Sequence, residues 1–461
     1  MKVKEIYIKD FRQFKEFTLD LTYPKGHEKE GQPLDKVCFI GQSGTGKTSL
    51  LKLIYLIRMP GEWKEKLNAS NQELIDKIAF RLTSSKNEDL VMSFKDSQND
   101  LYALSENMMT VFNLGGINYE DIFGDKVRGD VEYALKIAKA HEIDKSEKLI
   151  YFPSNLKYDL KKEQEIKTNF TKKLFDFSKD SIYELWASIL EDVTKYQEQE
   201  LKIRQQISVA AETGNSIAIQ NEVIKLKEWE VNNFNPINDL ADNCIDSLIK
   251  HFSLRVKKDL DFQQKEDIGF IKIENNDGKE VPYLSWSTGT KQVILSALPL
   301  YLLKPKNSTI LFDEPETSLY PDLQRVIIDY YSSFTKDSQF FYATHSPIIA
   351  SSFEPWEIVE LKFDDKGYVY RELYYEGENH VDNYYIDPRF LNFDLMLKEV
   401  FDMKFTNGDM RYEALSEYGM LKNQLETFKK ENKLQTPAAK EVYKKFKLLS
   451  KKLVANPEQH A

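Results

Sequence analysis

Residues 41 to 48 read Gly41-Gln42-Ser43-Gly44-Thr45-Gly46-Lys47-Thr48. Glycines at this spacing let the backbone curl, so that successive N–H groups converge on an anion such as a phosphate. Lys47 supplies a mobile cation for the terminal phosphates. The Thr48 hydroxyl, with Ser49 next to it, offers a hard oxygen donor to a divalent ion. A Gly-rich turn without a ligand is the plain alternative. The flanks argue against it. Val37-Cys38-Phe39-Ile40 is an apolar run that reads as a buried strand, and Ser49 to Ile57 reads as a helix. Strand, loop and helix in this order put a helix N-terminus, with its positive partial charge, at the end of the loop.

A second group of acids stands far along the chain. Thr309-Ile310-Leu311-Phe312-Asp313-Glu314-Pro315 is a buried-strand pattern ending in two carboxylates. Asp313, at the strand end, is placed to hold Mg²⁺. Glu314 is placed to take a proton from an attacking water, because a general base must lie within hydrogen-bond reach of its nucleophile. Two solvated acids opening a loop would be the bland reading.

Two more elements flank this strand. Ser287-Thr288-Gly289-Thr290 precedes an expected helix from Lys291 to Leu303. Ser287 and Gly289 at a helix start make either an ordinary N-cap or a second phosphate site. Beyond the acids, His345 follows an expected strand at Phe340–Ala343, within Thr344-His345-Ser346-Pro347. An imidazole there can donate to a terminal phosphate and report its loss.

These residues need a scaffold of alternating strands and helices. Val3, Ile6 and Ile8 mark one strand, and Phe17, Leu19 and Leu21 a second. Ile78 to Val111 reads as short strands with polar turns, and Leu149–Phe152 as a buried strand stopped by Pro153. From about Asn155 to Phe252 glycine nearly vanishes. Leu185, Ile189, Val193, Tyr196, Ile203 and Ile207 keep helical spacing, and Ile219, Val223 and Leu226 resume it after Thr213-Gly214-Asn215. This predicts an αα-hairpin with a thin apolar seam. Each arm of about 30 residues would span about 45 Å; it stands out as an arm or folds onto the core. A strand near Ile268–Ile273, a helix at Asp322–Phe334 and a hairpin over Ile358–Tyr374 follow. The last stretch is mainly helical. The expected divisions are 1–154 (N-terminal lobe), 155–255 (helical insertion), 256–380 (C-terminal lobe) and 381–461 (helical tail).

The chain of 461 residues carries a net charge of −10, with 41% hydrophobic and 30% charged residues. That composition supports a real core and excludes wholesale disorder. An acidic chain does not coat nucleic acid or anionic membrane with its whole surface; such contact needs a local patch. No window has the roughly 18 consecutive apolar residues of a spanning helix. The N-terminus has no signal-peptide pattern. Cys38 and Cys244 are too far apart for a CxxC site, which fits a reducing cytoplasmic setting.

P-loop, Ser/Gly signature, Asp–Glu strand and late histidine, in that order, resemble the ABC ATPases. More narrowly the chain resembles their SMC/RecF/OLD branch. Ile8-Lys9-Asp10-Phe11-Arg12-Gln13-Phe14 is similar to that branch's opening strand motif, whose arginine reaches toward the nucleotide; the resemblance assigns this to Arg12. Glu316-Thr317-Ser318-Leu319-Tyr320-Pro321-Asp322 looks like its D-loop, with Tyr320 where many members have histidine. Trp286 replaces the leucine of the LSxG signature, and Gln98 is a candidate for the Q-loop glutamine. The resemblance implies an α/β, ABC-type P-loop NTPase head with ATP and Mg²⁺ as cofactors. It implies an ATP-dependent homodimer or higher homo-oligomer, with Ser287 and Gly289 completing a partner's site.

A single head with a short arm is similar to the ATPase subunits of bacterial anti-phage systems such as Septu, PARIS and the retron-associated ATPases. The resemblance implies a separate nuclease or toxin effector. OLD proteins carry a Toprim nuclease in the same chain. Here Asp382, Asp387, Asp394, Asp402 and Asp409 form no DxD pair, so the tail is expected to be non-catalytic. Its last helix sets Val442, Phe446, Leu449 and Leu453 against Lys440, Lys444, Lys447 and Lys451. That is a packed helix with a solvated lysine face, or a docking surface for an effector or nucleic acid. The competing reading is a RecF-like repair ATPase that binds DNA directly. The acidic balance counts against it, because duplex binding relies on neutralising phosphates. Ribosome-associated ABC proteins normally carry two cassettes, and this chain has one.

Overall fold

The structure is a computed structural model. It describes residues 2–57, 78–83, 89–94, 101–105, 147–156, 172–258, 271–373, 384, 386–403 and 408–453. Two compact units divide it, Met1–Leu391 and Asn392–Ala461.

The described residues of the first unit hold fifteen strands: β1 (Lys2–Phe11), β2 (Phe14–Asp20), β3 (Lys36–Gly41), β4 (Ile78–Thr83), β5 (Asp89–Phe94), β6 (Leu101–Ser105), β7 (Leu149–Phe152), β8 (Leu174–Asp176), β9 (Leu254–Val256), β10 (Ile273–Asn275), β11 (Glu280–Val281), β12 (Thr309–Asp313), β13 (Gln339–Ala343), β14 (Ile358–Phe363) and β15 (Val369–Arg371). The described residues form a twelve-stranded sheet ordered β6-β5-β4-β1-β2-β15-β14-β3-β13-β12-β7-β8 and a small sheet β11-β10-β9.

From β14 to β8 the neighbours are parallel; β1, β2, β4, β5 and β6 pair antiparallel as a wing. Parallel strands covered on both faces have no solvent side, which explains the unbroken apolar runs at Val37–Ile40 and Ile310–Phe312. Every residue of β12 and β13 is buried. Phe312 stacks on Phe152 at 4.5 Å and on Tyr331 at 4.6 Å, tying β7, β12 and the helix Pro321–Ser333 into one core. The buried Gln339 side chain joins wing to core. Its Oε1 accepts from Val3 N (2.7 Å), and its Nε2 donates to Val3 O and Leu34 O (both 2.9 Å).

The predicted helical hairpin is present as Ile182–Glu212 and Ser216–Asn232. Gly214 takes φ 67° in the turn, and the Asn215 side chain caps the second helix. Leu185, Trp186, Ile189, Leu190 and Val193 bury the base of the long helix. Farther out the two helices pack on each other, Tyr196 against Trp229 at 4.7 Å, and Leu201, Val209 and Ile217 are exposed. The outer part therefore stands as an arm.

The second unit pairs Asp409–Lys430 with Pro437–Leu453, Tyr418 stacking on Phe446 at 4.6 Å. Lys440, Lys444, Lys447 and Lys451 are exposed. The apolar face is thus used within the hairpin, and the lysines face solvent. Among the described residues, no helix is long and apolar enough to cross a membrane. Gln98, Val111, Ile268 and Asp382 lie outside the described residues.

Candidate active site

β3 ends at Gly41, and the loop to the helix Lys47–Ile57 closes on itself. Gly41, Gly44 and Gly46 take φ of 135°, 87° and 90°, the left-handed region that glycine enters without strain. Two of them also lack room. A Cβ on Gly41 would strike the Leu361 carbonyl, and one on Gly46 would lie 2.5 Å from the Phe14 ring. Thr45 Oγ1 donates to Gln42 O at 2.8 Å, bracing the curl. Lys47 is buried, and its Nζ donates to Gly41 O (2.9 Å) and Gln42 O (3.0 Å). Ser43 and Gly44 are exposed.

The β1–β2 turn leans on this loop. Phe11 pairs with Phe14, leaving Arg12 and Gln13 as a two-residue turn with Arg12 at φ 54°. Arg12 Nη1 donates to Ser49 Oγ at 3.2 Å, and Gln13 Nε2 donates to Gly44 O at 3.0 Å. Arg12 therefore reaches the first turn of the helix that follows the loop. Gln13 was not singled out by its type or spacing.

β12 delivers the acids from the other side of β13. Thr48 Oγ1 donates to Asp313 Oδ1 at 2.9 Å, and Tyr151 on β7 donates to Asp313 Oδ2 at 3.3 Å. Residues 265 apart in sequence thus meet where a Mg²⁺ site is expected. A hydroxyl and a carboxylate are hard oxygen donors and fit Mg²⁺, which usually completes its shell with substrate phosphates and water. Burial pushes the Asp313 carboxyl above its ordinary range, against the Thr48 bond that favours the charged form. Glu314 sits at φ 51°, its N–H donating to Ala343 O at 2.8 Å. Next to that strand end comes His345, exposed, its pKa lowered by burial and then by the Lys47 charge.

The AAA ATPase domain family matches residues 1–350 of the chain. The chain belongs to that family. No curated protein matches the sequence. Among solved structures it is similar to an SMC head bound to the C-terminal winged-helix domain of ScpA (13% identity, TM-score 0.43, covering 80% of this chain and 97% of that one). It is also similar to a Pyrococcus furiosus Smc head with an extended coiled coil bound to the C-terminal domain of ScpA (12%, 0.40, 80% and 95%). A third is the SMC head domain from Thermotoga maritima (12%, 0.35, 80% and 98%). The family makes this chain a nucleotide-binding ATPase.

In this AAA ATPase the Ser287 segment starts a helix at Thr288, three residues before the Lys291 start that periodicity suggested. Ser287 is its N-cap: Oγ accepts from Thr290 N at 3.1 Å. The cap was one of the two readings, and it leaves the second open. Ser287 and Thr288 are exposed, Leu284 is 82% exposed and Tyr320 67%. Gly289 is buried; a Cβ there would lie 2.5 Å from Ser318 O. Trp286 is buried and donates through Nε1 to Val281 O at 2.8 Å, so the residue in the leucine position packs inward.

Lys47 gives a pH test. Burial pushes its pKa down to about 8, with Glu314 and Asp313 opposing. A bound triphosphate favours the charged amine, so binding above pH 8 takes up a proton. ATP affinity should therefore weaken as pH rises past that value, by up to about tenfold per unit. Calorimetric titration at pH 7.5 and 9, in buffers of different ionisation enthalpy, checks this. A flat affinity without proton uptake would reject the assignment of Lys47.

Proposed function

We propose that this ATPase binds MgATP on Gly41–Thr48, with Thr48 and Asp313 holding the ion, and hydrolyses it with Glu314 as base. Lys47 and Arg12 neutralise the phosphates, and His345 senses the terminal one. Ser287 and Gly289 of a second copy close the site. The pair thereby controls a separate nuclease or toxin effector in anti-phage defence.

The observation that carries the reading is the contrast between the two phosphate-type elements. Lys47, Thr48 and Asp313 converge on one loop. Ser287 presents a capped helix start to solvent, three residues after the exposed Leu284. A helix start directed at solvent beside exposed apolar side chains suits a contact made in trans. Nucleotide held between two copies would favour the closed pair by no more than its differential affinity. Loss of the terminal phosphate then reopens it. The anti-phage assignment rests on the motif set, the short helical arm and the tail without a DxD pair. The exposed lysines of Pro437–Leu453 are a docking face available to the effector.

Gly289→Asp would be a blunt probe, since its side chain meets Ser318 of its own chain. Ser287→Asp is cleaner: aspartate keeps the N-cap acceptor but sets a negative charge against a phosphate. Glu314→Gln chain with ATP, captured from native cells, should bring down further copies of itself and a nuclease or toxin. Adding Ser287→Asp should remove the self-pairing while ATP binding persists. Pairing indifferent to ATP and to Ser287→Asp would reject the shared site. Capture of the chain alone would reject the effector.

A further inference from the structure

The loop carrying His345 is held by a residue to which the reading above gives no role. Glu316 Oε1 accepts from Thr344 Oγ1 at 2.6 Å and from the His345 backbone N–H at 2.9 Å. The Thr344 hydroxyl oxygen in turn accepts from Ser346 N at 2.9 Å. A second strut runs in parallel: Ser346 Oγ donates to Gln324 Oε1 at 2.6 Å, and Gln324 Nε2 donates to Leu319 O at 2.8 Å. Both struts join the His345 loop to the segment 316–324. The same segment supports the Ser287 helix, because Gly289 packs on Ser318 O so closely that a Cβ would lie 2.5 Å away.

We infer that Glu316 is the positioning residue of the His345 loop, coupling it to the segment on which the Ser287–Gly289 helix rests. The inference builds on the reading that His345 contacts the terminal phosphate. Glu316 works through geometry and not through its field. The shift of the His345 ring comes from burial and Lys47, with Glu314 and Asp313 as the carboxylates acting on it. Glu316 instead fixes a backbone N–H and a hydroxyl, which sets where the ring can point. A movement of the Ser287 helix at one subunit's edge would pass through Ser318 and Glu316 to the histidine of the same subunit. Two composite sites would then be linked through each chain.

The test is a steady-state ATPase series on the full chain. Glu316→Ala frees the loop and should lower kcat about tenfold or more, with KM changed less than about threefold because Lys47 and its loop are untouched. Glu316→Gln should recover part of that loss. Its amide oxygen can accept both bonds, while its NH2 takes the buried place of Oε2, which has no hydrogen-bond partner among the described residues, and leaves that donor unpaired. Thr344→Val removes the donor to Glu316 and the acceptor of Ser346 N without changing shape, and should fall between Glu316→Ala and the parent. The double variant Glu316→Ala/His345→Ala should be no slower than His345→Ala alone, because both act on one function. Unchanged kcat in Glu316→Ala overturns the inference, as do losses that multiply in the double variant. Glu316→Gln as poor as Glu316→Ala also overturns it, because the two restored acceptor bonds would then contribute nothing. Wild-type turnover in His345→Ala would instead reject the histidine reading on which the inference stands. If Glu316→Ala does not fold, Thr344→Val and Glu316→Gln decide alone: parental kcat in Thr344→Val, or a deep loss in Glu316→Gln, overturns it.

Discussion

Glu314→Gln is expected to keep ATP affinity within about threefold and to lose turnover by about 10²- to 10⁴-fold, the usual worth of a positioned general base. The expectation follows from how narrowly the change acts. Glu314 holds a left-handed backbone, φ 51°, secured by its N–H bond to Ala343 O at 2.8 Å. Glutamine has the same shape and keeps that bond, so the turn and the neighbouring Asp313 stay in place. The Asp313–Thr48 pair at 2.9 Å is untouched, and with it the proposed ion site. Lys47, the proposed phosphate contact, is unchanged. What goes is the only capacity of this side chain to accept a proton from water. A phosphate-release assay with a parallel binding titration separates the two effects. Turnover near the parent rate would move the base to another residue, with His345 the next candidate.

The parts of this site that were legible in the sequence are those encoded by contiguous residues. Val37–Thr48 and Thr309–Glu314 each carry their own strand, turn and chemistry, and each strand is buried on both faces, so no alternation blurs its pattern. Contacts closed by the sheet were not legible. Tyr151 donates to Asp313 across 162 residues only because β7 is the neighbour of β12. Nothing in Leu149–Phe152 marks its tyrosine as different from its other apolar neighbours. Gln13 reaches Gly44 because a two-residue turn sets β1 and β2 against the loop. Glu316 was visible as part of a D-loop pattern, but its partners Thr344 and His345 come from the loop after β13. The start of the Thr288 helix was misjudged for a different reason. Periodicity marks the apolar face from Val293 onward, whereas the helix begins with a polar cap turn that carries no apolar signal.

Lys47→Ala is expected to weaken ATP binding by about 30-fold to several thousandfold, the range for truncating one partner of a buried, hydrogen-bonded charge pair. The loop itself should survive. Thr45 Oγ1 still braces Gln42 O at 2.8 Å, and Gln13 still holds Gly44 O at 3.0 Å. The three glycines keep their conformations independently of the lysine. Two carbonyls, Gly41 O and Gln42 O, lose the ammonium that now links them. They lie at the open side of the loop, Gln42 being exposed, so water can replace the lost donor. The missing charge has no such substitute. A triphosphate cradled by the N–H groups of the loop, near Asp313 and Glu314, then meets acids with Arg12 as the remaining cation of the assigned set. Lys47→Arg should not rescue fully, because a planar guanidinium does not fit the buried channel of a linear ammonium chain. Thermal unfolding gives the check. ATP with Mg²⁺ should raise the midpoint of the parent by mass action and raise that of Lys47→Ala clearly less at the same concentration. Equal stabilisation of both proteins would remove Lys47, and with it the loop, from the nucleotide site.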